Sequence, residues 1–179
     1  LNVRHLIGNE PFIYTWGDDF IVAQPSRFKQ LIAAYNKYGC SCLGSVKVLN
    51  DSYYDKYGFA AGKEIEPGII DAKTIVEKPG KENAPSDLAN VSGFLFTPDI
   101  FKFLDKTLAQ LKKGEEFYYN RALKFMLAAG KRILAVEIKG GKYYDTGNKL
   151  EYLKTVVEFA LKHKDLNGEF REYLKGLKL

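Results

Sequence analysis

The sequence predicts one α/β domain over residues 1–179, and three observations predict it. An apolar β-rich run, a helical stretch and a second β-rich run follow one another within the first 50 residues. Short extended runs broken by Gly, Pro and Asn fill the middle of the chain. The last part, 148–179, reads as helices at 3.6-residue spacing. With 179 residues, 46% hydrophobic and 27% charged, the chain is long enough for one real core and ordinary in composition for a globular protein.

The elements follow in order. "PFIYTW" (11–16) is a short strand that ends at Gly17. In "PSRFKQLIAAYNKYG", Phe28, Leu31, Ile32, Tyr35 and Tyr38 recur at helical spacing and Gly39 stops the pattern. "SCLGSVKVL" (41–49) is the next strand, so strand, helix and strand form a βαβ unit with parallel strands. Residues 50–75 hold hairpin-like excursions that return to a strand at "KTIVEK" (73–78), closed by Pro79. "LANVSGFLFT" (88–97) is another strand. A helix follows, with Thr97 as its cap, Pro98 in its first turn and Asp99 at its positive end. "EEFYYNRALKFMLAAGK" is a second helix closed at Gly130. "RILAVEI" (132–138) and "KYYD" (142–145) are extended, separated by a glycine turn. A long helix then runs from about Asn148 to His163, with an apolar stripe of Leu150, Leu153, Val157, Ala160 and Leu161 read as core-facing, or else as a dimer interface formed by the helices of 148–178. A short amphipathic tail ends the chain.

Composition narrows the function classes. No apolar run approaches the roughly 18 residues of a membrane helix, and no signal peptide is visible; the expectation is a soluble, cytoplasmic protein. The net charge is +5 and the pI about 9.0. The lysines are dispersed, which fits a solvated surface or an anionic ligand and argues against nucleic acid. Cys40 and Cys42 lack the second pair or nearby His that zinc requires, and read as buried free thiols.

Three segments place reactive groups at strand ends, where open α/β sheets bind ligands. They are "WGDD" with Asp18 and Asp19, "VEKP" with Glu77 and Lys78, and "YYDTGN" with Asp145. Carboxylates from two distant strand ends can converge on one hard cation such as magnesium, which takes a few carboxylate oxygens and leaves the rest of its shell to water and phosphate. Each segment also has a plain structural reading. Asp18 and Asp19 would cap a turn or the helix beyond, Lys78 would be a surface lysine, and Asp145 would cap the last helix through "DTGN".

Taken together, "IGNEPFIYTWGDDFI", "YGFAAG", "IVEKPGKENAPSDLANVSGFLFTPDIF" and "GGKYYDTGNKLEYLKTVVEFALKH" resemble the bacterial UTP–glucose-1-phosphate uridylyltransferases, within the sugar-phosphate nucleotidyltransferases. The resemblance covers nearly all of the chain. It implies a Rossmann-like mixed sheet flanked by helices, and a Mg²⁺-dependent reaction of UTP with glucose 1-phosphate that gives UDP-glucose and pyrophosphate. It implies Asp18 and Asp145 as metal ligands, Lys78 as a phosphate contact and Glu77 as acceptor for sugar hydroxyls. It further implies Gly58 and Gly93 in the sugar pocket, with Glu116 approaching it. Asp19 looks secondary. By the same resemblance the protein is a homo-oligomer.

Two departures qualify this. The family's opening glycine-rich loop, which holds the triphosphate, has no counterpart here, and the chain opens on Leu1. It therefore reads as the C-terminal two-thirds of such an enzyme, incomplete on its N-terminal side, needing the missing half as partner and inactive alone. Where the family usually reads "GGEIQLTDAI", this chain has "KGEEFYYNRAL" (113–123): Glu116 is kept, and Tyr118, Asn120 and Arg121 replace the expected residues. Another hexose 1-phosphate is thus an alternative substrate, for uridylyl or thymidylyl transfer. A non-catalytic sugar-nucleotide-binding or regulatory module of the same fold is the alternative from a different class.

Overall fold

The computed structural model describes residues 1–177, without the side chain of Ser92. In chain order the elements are α1 (Arg4–Ile7), β1 (Phe12–Tyr14), β2 (Asp19–Ala23), α2 (Arg27–Tyr38), β3 (Ser41–Lys47), β4 (Gly58–Glu66), β5 (Ile69–Glu77), β6 (Leu88–Phe96), α3 (Ile100–Ala109), α4 (Tyr119–Ala128), β7 (Ile133–Glu137), β8 (Gly141–Asp145), α5 (Lys149–Lys162) and α6 (Asn167–Lys175).

Six strands form the main sheet in the order β1-β6-β3-β7-β5-β4, and the start of β4 also pairs with β6. β3 and β7 are parallel; the other pairings in this sheet are antiparallel. The two strands of the expected βαβ unit, β1 and β3, do run the same way, but antiparallel β6 lies between them.

Helices cover both faces. On one, α2 sends Leu31 and Ala34 onto Cys42, Val91, Leu95, Leu134 and Val136. On the other, Ile100 and Phe103 of α3 and Leu123 and Met126 of α4 meet Leu43, Phe94, Phe96 and Ile133. Alternate residues of β3, β6 and β7 thus enter opposite cores. Burial on both faces makes "SCLGS" and "ILAV" read as unbroken small or apolar runs rather than alternating ones. Cys40 and Cys42 are free and buried, as expected.

Four expectations are corrected. A strand was not foreseen at Asp19–Ala23; it is paired with β8 in a separate two-stranded ribbon. The helix expected from Glu115 begins only at Tyr119. Thr97 is not the cap of α3: Asp99 holds that position with Pro98 before the helix, and the Thr97 hydroxyl is engaged by Ser41 and Asp99. The α5 stripe is not a core stripe: Leu150 is 59% and Leu153 61% exposed, and α5 rests on β8 and α6. No described helix is long and apolar enough to cross a membrane.

The excursion at 58–77 is one long hairpin, β4–β5, turned at Pro67-Gly68 with Gly68 at φ +84°. Its register shifts between Ala61 and Gly62. A Cβ at Gly62 would lie 2.0 Å from the Asp71 carbonyl oxygen, which is main chain and cannot swing aside. Gly62→Ala is therefore expected to lower unfolding stability by about 1–3 kcal/mol in a urea titration. An unchanged midpoint would contradict the close approach.

Candidate active site

The ribbon of β2 and β8 builds the site. Its antiparallel register sets Asp19 opposite Asp145 and continues to Ala23 opposite Gly141. Beyond the ribbon's end the Asp18 carbonyl accepts from the Thr146 amide (2.8 Å), the Gly147 amide (3.1 Å) and the Thr146 hydroxyl (2.7 Å). These bonds tie "GDD" to "DTG", 128 residues away.

At this junction lies a cleft of about 210 Å³ walled by Trp16, Asp18, Asp19, Lys56, Tyr57, Gly58, Glu77, Asn90, Val91, Tyr119, Tyr143 and Asp145. Five of the residues singled out from sequence therefore share one wall: Asp18, Asp19, Gly58, Glu77 and Asp145. Lys78, Gly93 and Glu116 lie outside it.

Gly147 shows how the two acids converge. A Cβ there would stand 2.9 Å from Asp18 Oδ2 and 3.4 Å from Asp145 Oδ1, so both carboxylates approach one point that glycine leaves open. Two oxygen donors around an open point suit a hard divalent cation that draws its other ligands from water and phosphate. Among the described residues no group of three His, Cys, Asp or Glu side chains could hold a metal by itself. Asp145 Oδ1 also accepts from the Asn148 amide (3.3 Å), but the α5 cap is Asn148, whose side chain accepts from Leu150 and Glu151 amides.

Asp19 has partners of its own. Its Oδ1 stands 4.0 Å from Arg27 Nη1, and its Oδ2 accepts from the Tyr143 hydroxyl at 3.1 Å. Arg27 is buried at the start of α2 and also donates to the Thr15 hydroxyl (3.0 Å). Burial pulls the Arg27 pKa down, opposed by Asp19 and Tyr143. Burial pushes the pKa values of Tyr57 and Tyr143 up. Both phenols stay protonated at neutral pH and act as donors, Tyr57 to Asp145 Oδ2 at 3.2 Å.

Gly58 sits where three strands meet, opposite Glu77 of β5 and Asn90 of β6. A Cβ on it would stand 2.8 Å from Glu77 Oε2, so glycine here makes room for that carboxylate. Glu77 Oε2 accepts from Asn120 Nδ2 at 2.8 Å. Burial raises the Glu77 pKa, with Lys78 and Asn120 opposing. Lys78 itself takes a left-handed backbone at φ +46°, held by its amide on the Tyr57 carbonyl (3.0 Å). A non-glycine residue in that region stores strain of a kind that gathers at functional sites. Gly93, at φ +98°, lies behind the wall: a Cβ would meet Arg27 Cδ at 3.3 Å and Phe28 Cε1 at 3.4 Å. Glu116 is exposed beside Tyr118.

Sequence reasoning missed Trp16, Lys56, Tyr57, Asn90, Val91, Tyr119 and Tyr143 as cleft residues, and it did not join Asn120 to Glu77. "YYD" and "YG" carried a signal, since tyrosines flanking candidate ligands can reach them. Nothing in "FYYN" signals that Asn120 would reach Glu77 across the fold.

The Glu77 shift has a stability consequence. A carboxyl whose folded pKa lies above its unfolded value costs stability at pH values above both, and nothing below the unfolded value. Glu77→Gln is expected to raise Tm at pH 7, and the gain should vanish below about pH 4. An equal gain at both pH values, read by calorimetry, would contradict the assignment.

The fold agrees with known proteins. A model of the nucleotidyl transferase family matches residues 1–161. A UTP–glucose-1-phosphate uridylyltransferase of Streptococcus pneumoniae serotype 4 is 34% identical over 179 residues, covering 97% of this chain and 58% of that one. The enzyme of the same name from Bacillus subtilis strain 168 is 34% identical over 174 residues, with the same coverage. Among solved structures, a UDP-glucose pyrophosphorylase complexed with UDP-glucose superposes with a TM-score of 0.79 at 36% identity, over 90% of this chain and 60% of that one. The UTP-bound UGPase of Acinetobacter baumannii gives 0.82 at 27% identity, over 98% and 60%. The chain thus spans somewhat over half the length of the curated relatives it matches. A nearly complete family match and a superposable mixed sheet flanked by helices make the chain a member of the nucleotidyl transferase family.

Proposed function

We propose that these residues form the sugar-phosphate and metal side of a UTP–glucose-1-phosphate uridylyltransferase site. The observation that carries this is the approach of Asp18 and Asp145 to one open point beside Glu77, in a chain of this family.

In the proposed reaction a phosphate oxygen of glucose 1-phosphate forms a bond to the α-phosphorus of UTP. The bond from that phosphorus to the β-phosphate bridge breaks, and pyrophosphate leaves. Such transfers ask the protein chiefly for positioning and charge stabilisation. Asp18 and Asp145 would hold Mg²⁺, which when bound neutralises phosphate charge. Glu77, held by Asn120, accepts hydrogen bonds from sugar hydroxyls. Lys78 offers a compact positive charge to the sugar phosphate. Gly58 leaves room for the Glu77 carboxylate, Gly93 leaves room for Arg27 behind the wall, and Glu116 stands at the outer approach. No covalent enzyme intermediate is invoked.

Asn120 supports a second reading of the sugar. It is one of the residues that depart from the usual family pattern, and it occupies the very carboxylate assigned to sugar hydroxyls. Another hexose 1-phosphate is the specific alternative. Exposed Leu150, Leu153 and Phe159 on α5 support self-association as the mode of assembly.

The test is UDP-glucose binding to the chain by titration calorimetry with Mg²⁺, together with pyrophosphate release from UTP and glucose 1-phosphate by the chain joined to the triphosphate-binding half that the resemblance implies. Binding is expected to weaken by at least about tenfold in Asp145→Asn and on removal of Mg²⁺ with EDTA, as loss of a metal contact implies. Tight binding unaffected by either, with no pyrophosphate formed, would favour a non-catalytic binding module. Preference for galactose 1-phosphate over glucose 1-phosphate would favour the second sugar.

A further inference from the structure

The adjacent acids Asp18 and Asp19 have different surroundings. Asp18 is exposed and its carboxylate reaches the open point at Gly147. Asp19 belongs to a chain of contacts that starts inside the protein. Arg27 stands against Asp19 Oδ1, and Tyr143 donates to Asp19 Oδ2. The Tyr143 ring meets the Tyr57 ring edge to face, centroids 5.9 Å apart and planes at 84°. Tyr57 then donates to Asp145 Oδ2, while Oδ1 of the same carboxylate faces the open point. The contacts join α2, both ribbon strands and the segment before β4. They also answer an electrostatic problem, because like charges directly opposite on paired strands repel, and Asp19 and Asp145 are such a pair.

We propose that Tyr57 and Tyr143 are positioning residues for the metal site, a proposal that rests on the reading of Asp18 and Asp145 as cation ligands. Tyr57 occupies one oxygen of Asp145 and so presents the other to the cation. Tyr143 holds Asp19 against Arg27, which keeps the second acid of "GDD" out of the coordination sphere. Of two neighbouring aspartates, only Asp18 is left for the metal. Partners of this kind orient ligands, and losing one typically costs about 10–100-fold in metal affinity.

The test is Mn²⁺ binding to the chain, followed by electron paramagnetic resonance and titration calorimetry, with Tm measured for every variant. Tyr57→Phe keeps the ring and removes the hydroxyl. It is expected to weaken Mn²⁺ binding about 10-fold or more with Tm little changed. Tyr143→Phe frees Asp19 to turn toward the cation and is expected to change the Mn²⁺ resonance without the loss of affinity seen in Tyr57→Phe; an unchanged resonance would overturn its part. Tyr53→Leu is the control: it removes a ring that touches both tyrosines, at 5.2 Å and 6.4 Å, so packing alone would make it equally damaging. If Tyr143→Phe fails to fold, because it strips a donor from a sheltered carboxylate, Tyr57→Phe carries the test at half-buried Asp145.

The two levels of failure separate. Mn²⁺ binding that Asp145→Asn leaves intact would overturn the metal reading and the positioning with it. Binding lost in Asp145→Asn but unchanged in Tyr57→Phe would overturn the positioning alone. Equal loss in Tyr53→Leu would also overturn it, in favour of simple ring packing.

Discussion

The pairing of β2 with β8 is the constraint on which the site depends. Each strand is five residues long, and the ribbon belongs to neither edge of the main sheet. A two-stranded ribbon is marginal by itself. This one is anchored by Ile21 and Tyr144, which are buried, and by Phe20, Tyr144 and Phe159 in mutual ring contact with α5. The amides of Thr146 and Gly147 then fasten the open end to the Asp18 carbonyl. Closing a loop of more than a hundred residues costs only modestly more entropy than closing a short one, because the cost grows with the logarithm of length. The register needs only local side-chain packing and main-chain bonds to persist.

Around this junction acids are handled in three ways. Asp18 stays in solvent, where its charge is cheap. Asp19 is withdrawn into partial burial and balanced by Arg27 and Tyr143. Glu77 is held half sheltered with an amide donor but no full counter-ion, and its ionised form is penalised. A carboxyl with a raised pKa in a cleft fits the proposed acceptor of sugar hydroxyls. Lys78 in a left-handed backbone is a second local cost in the same four-residue stretch.

The sequence made much of the fold legible because its main elements carry strong periodic or punctuating signals. Helix α2 is bracketed by Ser26, whose side chain caps it, and Gly39 in the left-handed region. Strands β3, β6 and β7 show as apolar runs because both faces are covered. What escaped reading had weak local signals. "DFIVA" is short and follows a turn-like "GDD", so its pairing with residues 141–145 is a tertiary fact. "EEFY" has helix-forming glutamates, yet the chain stays irregular until Tyr119, where rings of Tyr14, Trp16 and Phe94 pack around it. In the site, the acids were legible from their motifs. The tyrosines and Asn120 that orient them were not, because reaching an acid across the fold leaves no spacing pattern in the chain.

The central claim is that Asp18 and Asp145 share one cation. Anomalous diffraction from crystals of the chain grown with Mn²⁺ tests it most directly. The account predicts a single strong peak between the two carboxylates, bonded to Asp18 Oδ2 and Asp145 Oδ1, with Asp19 still turned toward Arg27. A peak bonded to Asp19 and not to Asp18, or density showing the two carboxylates turned to different sides of the ribbon, would contradict it.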